Sequence, residues 1–395
     1  MPVHNGKITS VVYCPFMNYG EESIRLHEER GGKLRIESTF PVTNTEELSV
    51  AYTPGIAAVS LEIAEHPERA RDLVSTKKMV AVITDGSAVL GLGNIGPSAA
   101  LPVMEGKCAL FKTFANIDAF PIALATQDVD EIVNTVLRIA PTFGGINLED
   151  ISAPRCFEIE ERLKAVLKIP VFHDDQHGTA IVVLAGLLNS LKVTGQKKED
   201  LKIVVTGSGA AGIAIVSLLQ KAGFSRVTMV DSGGIVSKCR EDLNVAQEKI
   251  LECCAISEIC GGMAEAVVGK DVFIGVSAPN ILTKEMMATM NKNPIIFALA
   301  NPVPEIDPEV AREAGAVIVA TGRSDYPNQV NNSLVFPGIF KGAIEAQISQ
   351  ITDDMKIKAA YALAAIVENP TAERIIPGPF EDGIVEAISN AVKTA

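Results

Sequence analysis

Two periodicities alternate along most of the chain. Short apolar runs with strand character, such as Lys78–Ile83, Pro121–Ala125, Gly145–Ile151 and Val171–Phe172, are separated by stretches whose apolar residues recur every three to four positions. Such stretches include Val129–Ile139 (Ile132, Val133, Val136, Leu137, Ile139), Phe157–Leu167 and Ala180–Leu191. The first kind predicts buried strands and the second amphipathic helices. After Leu201 the alternation repeats with greater regularity. Strands are predicted at Leu201–Thr206, Arg226–Asp231, Asp271–Ile274, Pro294–Ala298 and Ala316–Ala320, and helices at Ile213–Ala222, Val245–Ile259, Lys284–Met290 and Pro308–Ala314. Alternating strand and helix predicts an α/β fold with parallel, doubly wound sheets. Residues 1–40 are weakly patterned, Thr45–Leu48 reads as a capping box, and the chain from Gly338 onward reads as helical.

Length then divides this pattern. A single core rarely grows past about 250–300 residues, so 395 residues imply about two domains. The pattern divides them into an N-terminal α/β domain, 1–178, and a doubly wound, Rossmann-type domain, 179–337, with helices 338–395 packing back on the first. A hydrophobic share of 47% with 21% charged residues is that of a folded globular chain. A net charge of −13 argues against a general nucleic-acid binder. The start, Met1-Pro-Val-His-Asn-Gly-Lys7, lacks the apolar segment of a signal peptide, and no apolar run approaches the length of a membrane span. The seven cysteines form no CxxC pair and read as free thiols in a reducing cytoplasm.

Two stretches carry candidate chemistry. In Gly207-Ser208-Gly209-Ala210-Ala211-Gly212, a GxGxxG follows a strand and opens a helix, and a second strand ends in Asp231, 24 residues after Gly207. In that context the motif is a dinucleotide fingerprint: its glycines allow the turn and the approach of the pyrophosphate, and Asp231 accepts from the adenosine ribose. A second match, Gly91–Gly96, lacks this context and reads as a glycine-rich active-site loop. In Pro170–Thr179 a strand end delivers Asp174 and Asp175, and Glu149-Asp150 ends another strand upstream. Carboxylates from two such places suit a hard cation, Mg²⁺ or Mn²⁺. The competing readings are a helix N-cap pair for Asp174 and Asp175, and a zinc site built on His173 and His177 at i, i+4.

Ala51-Tyr52-Thr-Pro-Gly55, Thr84–Gly96, Glu105-Gly-Lys107, Glu149-Asp150, Phe172–Thr179 and Tyr326–Asn332 together resemble the malic enzymes, most closely the short bacterial-type form, from about Leu48 onward. The resemblance implies NAD(P)-dependent oxidative decarboxylation of L-malate to pyruvate and CO₂. It makes Lys107 the base at the C2 hydroxyl, with a pKa lowered by burial and a nearby cation, and Tyr52 the acid at C3. Asp174 becomes an orienting group, and Glu149, Asp150 and Asp175 become ligands of Mg²⁺ or Mn²⁺. Asn301 and Asn332 become contacts of substrate and nicotinamide. It also implies a homodimer or larger assembly. One departure is Ala88, where animal and plant members carry a substrate-gripping arginine. Rival readings are malolactic enzyme, which releases lactate, a metal-free amino-acid dehydrogenase, and a dinucleotide sensor without turnover. Asp231 favours NAD⁺ over NADP⁺, with Lys238 and Arg240 the nearest cations able to counter it.

Overall fold

The computed structural model describes residues 18–89, 91–253 and 260–395, which fall into two compact units, one ending at Thr39 and the other running from Phe40 to Ala395. The first contains helix α1 (Tyr19–Arg30), capped by the Asn18 side chain and closed by Gly31 in the left-handed region. α1 was not anticipated, because its segment is polar and buries nothing.

The second unit holds two sheets. The strands of the first are β1 (Met79–Thr84), β2 (Asp118–Ala123), β3 (Gly145–Leu148) and β4 (Val171–His173), all parallel in the order β2-β1-β3-β4. Leading into it are α2 (Thr45–Ala51), α3 (Ile56–Glu65) and α4 (Ala70–Leu73). Around it run α5 (Gly96–Ala115), α6 (Val129–Ile139) and α7 (Arg155–Val166), and α8 (Asp174–Thr194) leaves β4 directly. The second sheet comprises β5 (Lys202–Thr206), β6 (Arg226–Asp231), β7 (Gly234–Ile235), β8 (Val272–Gly275), β9 (Ile295–Ala298) and β10 (Ile318–Thr321). Its order is β10-β9-β8-β5-β6-β7, parallel except for the β6–β7 pair. The connecting helices are α9 (Ala210–Lys221), α10 (Val245–Cys253), α11 (Met263–Ala266), α12 (Lys284–Met287) and α13 (Pro308–Glu313). The chain ends with α14 (Phe336–Glu345), α15 (Asp353–Ile366) and α16 (Ile384–Lys393). The α/β class with parallel sheets and a Rossmann-like half is as expected.

One apolar cluster ties the halves together. Val80 and Val82 of β1, Phe111 of α5, Ile181–Leu187 of α8, Ile203 and Val205 of β5, and Phe336 and Phe340 of α14 belong to the same buried core. Edge-to-face contacts join Phe111 to Phe336 and Phe340, with centroids 4.6 and 5.3 Å apart, and Phe172 to Phe340 at 5.9 Å. α8 is apolar all round because core surrounds it. Its 21 residues also make it long and apolar enough to cross a membrane, but 61% of that window is buried in protein.

Several expectations shift. The N-cap of α2 is Asn44, which accepts from Glu47 N, while Thr43 bonds the Glu47 carboxylate; the capping residue is one position earlier than Thr45. The predicted helix Lys284–Met290 shortens to α12, ending at Met287. Of Val245–Ile259, Val245–Cys253 is helical and 254–259 lies outside the described residues. Cys239 and Cys260 form a disulfide, correcting the expectation that every thiol is free, while Cys108 and Cys156 are free and buried.

Candidate active site

The acidic residues converge because two neighbouring parallel strands end at one place. β3 ends at Leu148, and the chain turns at Asp150, whose φ of 54° is a left-handed conformation that Asp tolerates. β4 ends at His173 and passes without a loop into α8, so Asp174 and Asp175 lie in the first helical turn, where the helix dipole favours negative charge. Glu149, Asp150 and Asp175 each bring a carboxylate oxygen to within 4.8 Å of the others. The Asp150 N–H donates to Asp175 Oδ2 at 2.8 Å, locking the two loops together.

Lys107 enters the same pocket from α5. Its Nζ lies 2.6 Å from Asp174 Oδ2 and 2.8 Å from Glu149 Oε1, and 4.3 Å above the Phe336 ring. Glu149 Oε2 accepts in turn from Asn147 Nδ2 at 2.9 Å. Lys107, Glu149, Asp150 and Asp174 are buried. The pocket is negative as well as dry, and its titrations show both effects. Burial pushes Asp174 up to about 8, against the pull of Lys107, and raises Glu149 and Asp175 as well. Burial would push the Lys107 ammonium down, but Asp174, Glu149 and Asp175 outweigh it and hold its pKa above the ordinary lysine range. This reverses the expected depression for the cluster of side chains by itself. A hard divalent cation suits the donor set: three carboxylates meet within its reach in a pocket that resists ionising them otherwise.

The histidines do a different job. His177 Nε2 lies 2.9 Å from both oxygens of buried Glu160, which also accepts from His173 N at 3.1 Å and Lys164 Nζ at 2.6 Å. Burial pushes His177 down to about 4, so the neutral ring donates to Glu160. The ring that a zinc site needs is already committed, and the zinc reading fails there.

The remaining candidates are distributed around this centre. Asn332 opens a short 3₁₀ turn beside the first turn of α8: a Cβ on Gly178 would lie 3.1 Å from Asn332 Cβ and 1.9 Å from Asp174 Oδ1. Asn301 follows β9, with its carbonyl against Gly91, so the glycine-rich loop 91–96 meets the dinucleotide half at this residue. Ala88 is exposed and its N–H donates to Asp150 O at 2.9 Å. Tyr52 is the exception. It is 66% exposed, and no side-chain hydrogen bond to it exists among the described residues.

In the second sheet, β5 leads through Gly207 (φ 101°) into α9. A Cβ on Gly212 would lie 1.7 Å from Gly207 O, whereas one on Gly209 would meet nothing within 4 Å. The third glycine thus packs the helix on the turn and the second leaves open space, as backbone recognition of a pyrophosphate at the start of α9 requires. Ser208, Ala210 and Ala211 complete the loop, and Asp231 ends β6, 3.1 Å from Ser208 Oγ.

Three further residues escaped the sequence reading. Arg155, on α7, donates to Asp85 Oδ2 at 2.8 Å and Ser87 Oγ at 2.9 Å, fixing the loop after β1. Glu305, fully buried, accepts from Ser277 N and Ala300 N and ties together the ends of β8 and β9. Gln247 of α10 is the third, and it bonds Asp231. A lone Arg, Glu or Gln carries no local signal of such partners.

Comparison with known proteins matches residues 31–164 to "Malic enzyme, N-terminal domain" and residues 176–393 to "Malic enzyme, NAD binding domain". The chain belongs to the malic enzyme family. It is 52% identical to a bifunctional malic/malolactic enzyme of Bacillus subtilis, over 96% of this chain and 93% of that one. To an NADP-dependent malic enzyme of Halomonas elongata it is 46% identical, over 92% and 90%. The crystal structure of an NAD-dependent malic enzyme from Thermotoga maritima superposes with a TM-score of 0.90 at 51% identity, covering 94% of this chain and 98% of that one.

Proposed function

We propose that this protein catalyses the divalent-metal-dependent oxidative decarboxylation of L-malate to pyruvate and CO₂, with reduction of NAD(P)⁺. The observation that carries the reading is the buried Lys107, bonded to Glu149 and Asp174, beside the Glu149–Asp150–Asp175 ligand set. Mg²⁺ or Mn²⁺ held by that set would supply Lewis acidity at the C1 carboxylate and C2 oxygen, and a dinucleotide on the Gly207–Gly212 loop would supply the hydride acceptor. Lys107 takes the C2 hydroxyl proton. Neutralising the charges of Glu149 and Asp175 would remove two of the three carboxylates that hold its pKa up against burial, and so move the amine toward the range of a working base. Asp174 orients Lys107. Asn332 and Asn301 bind the substrate, and Asn301 also contacts the nicotinamide ring.

Tyr52 is the proposed acid at C3, and its position supports an assembly. α2 and α3 bury no residue, yet Leu48, Val50, Ile56 and Leu61 are 48, 67, 41 and 64% exposed beside it. A second copy covering this face gives a homodimer, and only within it does Tyr52 leave solvent. We place the division of labour at residues 1–178 and 179–337, with 338–395 returning to the first part, although α8 runs through residue 178 unbroken. The compartment is the cytoplasm. NAD⁺ is the preferred cofactor.

An assay with malate, Mn²⁺ and either dinucleotide tests the reading, followed by product analysis. Pyruvate with stoichiometric reduced cofactor is expected, and no turnover with either dinucleotide would refute it. The malolactic reading keeps some support, because the Bacillus subtilis relative is named for both activities. Lactate without net NADH would decide for it.

A further inference from the structure

We propose that Asp242 sets the balance between NAD⁺ and NADP⁺, by competing with a 2′-phosphate for the guanidinium of Arg240. The proposal rests on the dinucleotide reading of the Gly207–Gly212 loop. In a plain fingerprint the acid at the end of the second strand faces the ribose with free lone pairs. Here it does not. Asp231 Oδ1 accepts from Gly233 N at 2.8 Å and from Arg240 Nη1 at 2.5 Å, and Oδ2 accepts from Ser208 Oγ at 3.1 Å and Gln247 Nε2 at 2.6 Å. Four donors approach the number a carboxylate can accept. Gln247 is itself buried and fixed, since its Oε1 accepts from Asn244 N at 2.9 Å.

Arg240 is held from both sides. Its Nε and Nη2 form a two-pronged pair with Asp242 Oδ1 and Oδ2, both at 2.8 Å, while Nη1 serves Asp231. The guanidinium lies against Gly233, where a Cβ would come within 2.5 Å of Nη2. A cation therefore already sits at the carboxylate expected to repel a 2′-phosphate. The planar fork that would best grip a phosphate is turned instead to Asp242. The net charge of Asp231, Arg240 and Asp242 is −1. Without the Asp242 charge it is zero, and two N–H donors become available. Lys238 is exposed and takes no part in these bonds.

Asp242 acts through Arg240 and so is a positioning residue. Its side chain is 69% exposed, so Asp242→Asn threatens no core. The experiment measures dissociation constants of NADH and NADPH by fluorescence titration, and of adenosine 2′,5′-bisphosphate by calorimetry, at low salt. The proteins are wild type, Asp242→Asn, Asp242→Glu, and Asp242→Asn combined with Arg240→Ala. We expect Asp242→Asn to tighten NADPH and the bisphosphate about tenfold (roughly 1.4 kcal/mol) while NADH moves less than threefold. Asp242→Glu should keep the wild-type ratio, and the double variant should lose the gain. An unchanged NADPH/NADH ratio in Asp242→Asn, or a gain that survives removal of Arg240, overturns the proposal. Failure of wild type to bind either dinucleotide would overturn the dinucleotide reading with it, whereas binding of both with an unmoved ratio would overturn only the role of Asp242.

Discussion

Lys107 and Arg240 occupy the same kind of place in two different surroundings. Each is one cation between two carboxylates, Glu149 and Asp174 beside the first sheet, Asp231 and Asp242 beside the second. Lys107 and its partners are all buried, and the aromatic ring of Phe336 covers the ammonium. Asp242 lies in water, 69% exposed, while Arg240 and Asp231 are largely shielded, their side chains 14% and 13% exposed. Removing one partner of a buried pair strands a charge without water, at a cost of about 3–5 kcal/mol, while exposed pairs contribute about 0–1 kcal/mol. The first arrangement is therefore a fixed piece of chemistry. The second is an adjustable one, which a single exposed side chain can bias.

Breaking the buried arrangement should have the largest effect. Lys107→Ala removes the proposed base and leaves Asp174 and Glu149 without their cation. Malate oxidation should fall by about 10²–10⁴-fold, the range for loss of general acid–base catalysis. Lys107→Arg should not restore it, because a guanidinium stays protonated where an amine need not. Steady-state rates with NADH release as the signal check both. Turnover in Lys107→Ala within tenfold of wild type would move the base elsewhere.

Next in size is the ligand set. Treatment with a chelator should abolish turnover, with Mn²⁺ or Mg²⁺ restoring it and Zn²⁺ doing so poorly. Asp175→Asn should weaken Mn²⁺ binding by an order of magnitude or more and leave NADH binding within about threefold, since the dinucleotide loop belongs to the other sheet. Full activity in metal-stripped protein would exclude a catalytic cation. Tyr52→Phe should then lower kcat at the step after decarboxylation, leaving malate oxidation to enolpyruvate less affected. The measurement is tautomerisation of enolpyruvate, and a wild-type rate there would assign the acid to another residue.

The contrast between the two cations also explains what could be read from sequence. Glu149-Asp150 and Asp174-Asp175 were legible because buried carboxylates at strand ends have few structural uses, and Gly207 and Gly212 because contacts of 2.6 and 1.7 Å tolerate nothing larger. The helix carrying Lys107 was not. α5 runs 20 residues with Pro102 inside it and two glycines, and its local signals, Pro102-Val-Met-Glu-Gly106 among them, argue for a break. It forms because Ala100, Met104, Cys108 and Phe111 are buried on one side, a tertiary effect that overrides propensity. The Arg240 network was half visible. The sequence places a cation near Asp231, but whether it faces Asp231, Asp242 or solvent depends on the turn at Gly233-Gly234 and on Gln247 from α10.

A third cluster inverts the charges and tests the role of exposure with the smallest effect. Asp353, at the start of α15, sits between two lysines, Lys221 of α9 and Lys356 one turn along its own helix, the latter at 3.0 Å. Lys356 is buried, Asp353 39% exposed and Lys221 51% exposed, so this cluster, like that of Arg240, joins a shielded partner to an exposed one. Burial by itself would raise the Asp353 pKa, but Lys356 and Lys221 outweigh it and hold the carboxyl down at about 2. A carboxyl whose folded pKa lies below its unfolded value of about 3.9 stabilises the fold above that unfolded value, and the contribution drains away as the pH falls toward 2. Asp353→Asn should therefore destabilise the protein at pH 7, and water screening limits the loss to about 0.5–1 kcal/mol. The gap between variant and wild type should narrow between pH 4 and pH 2. Denaturant midpoints measured across that range check it. A loss of several kcal/mol at pH 7, or a gap that widens on acidification, would mean that exposure does not grade these three clusters and that the buried Lys356 dominates its own.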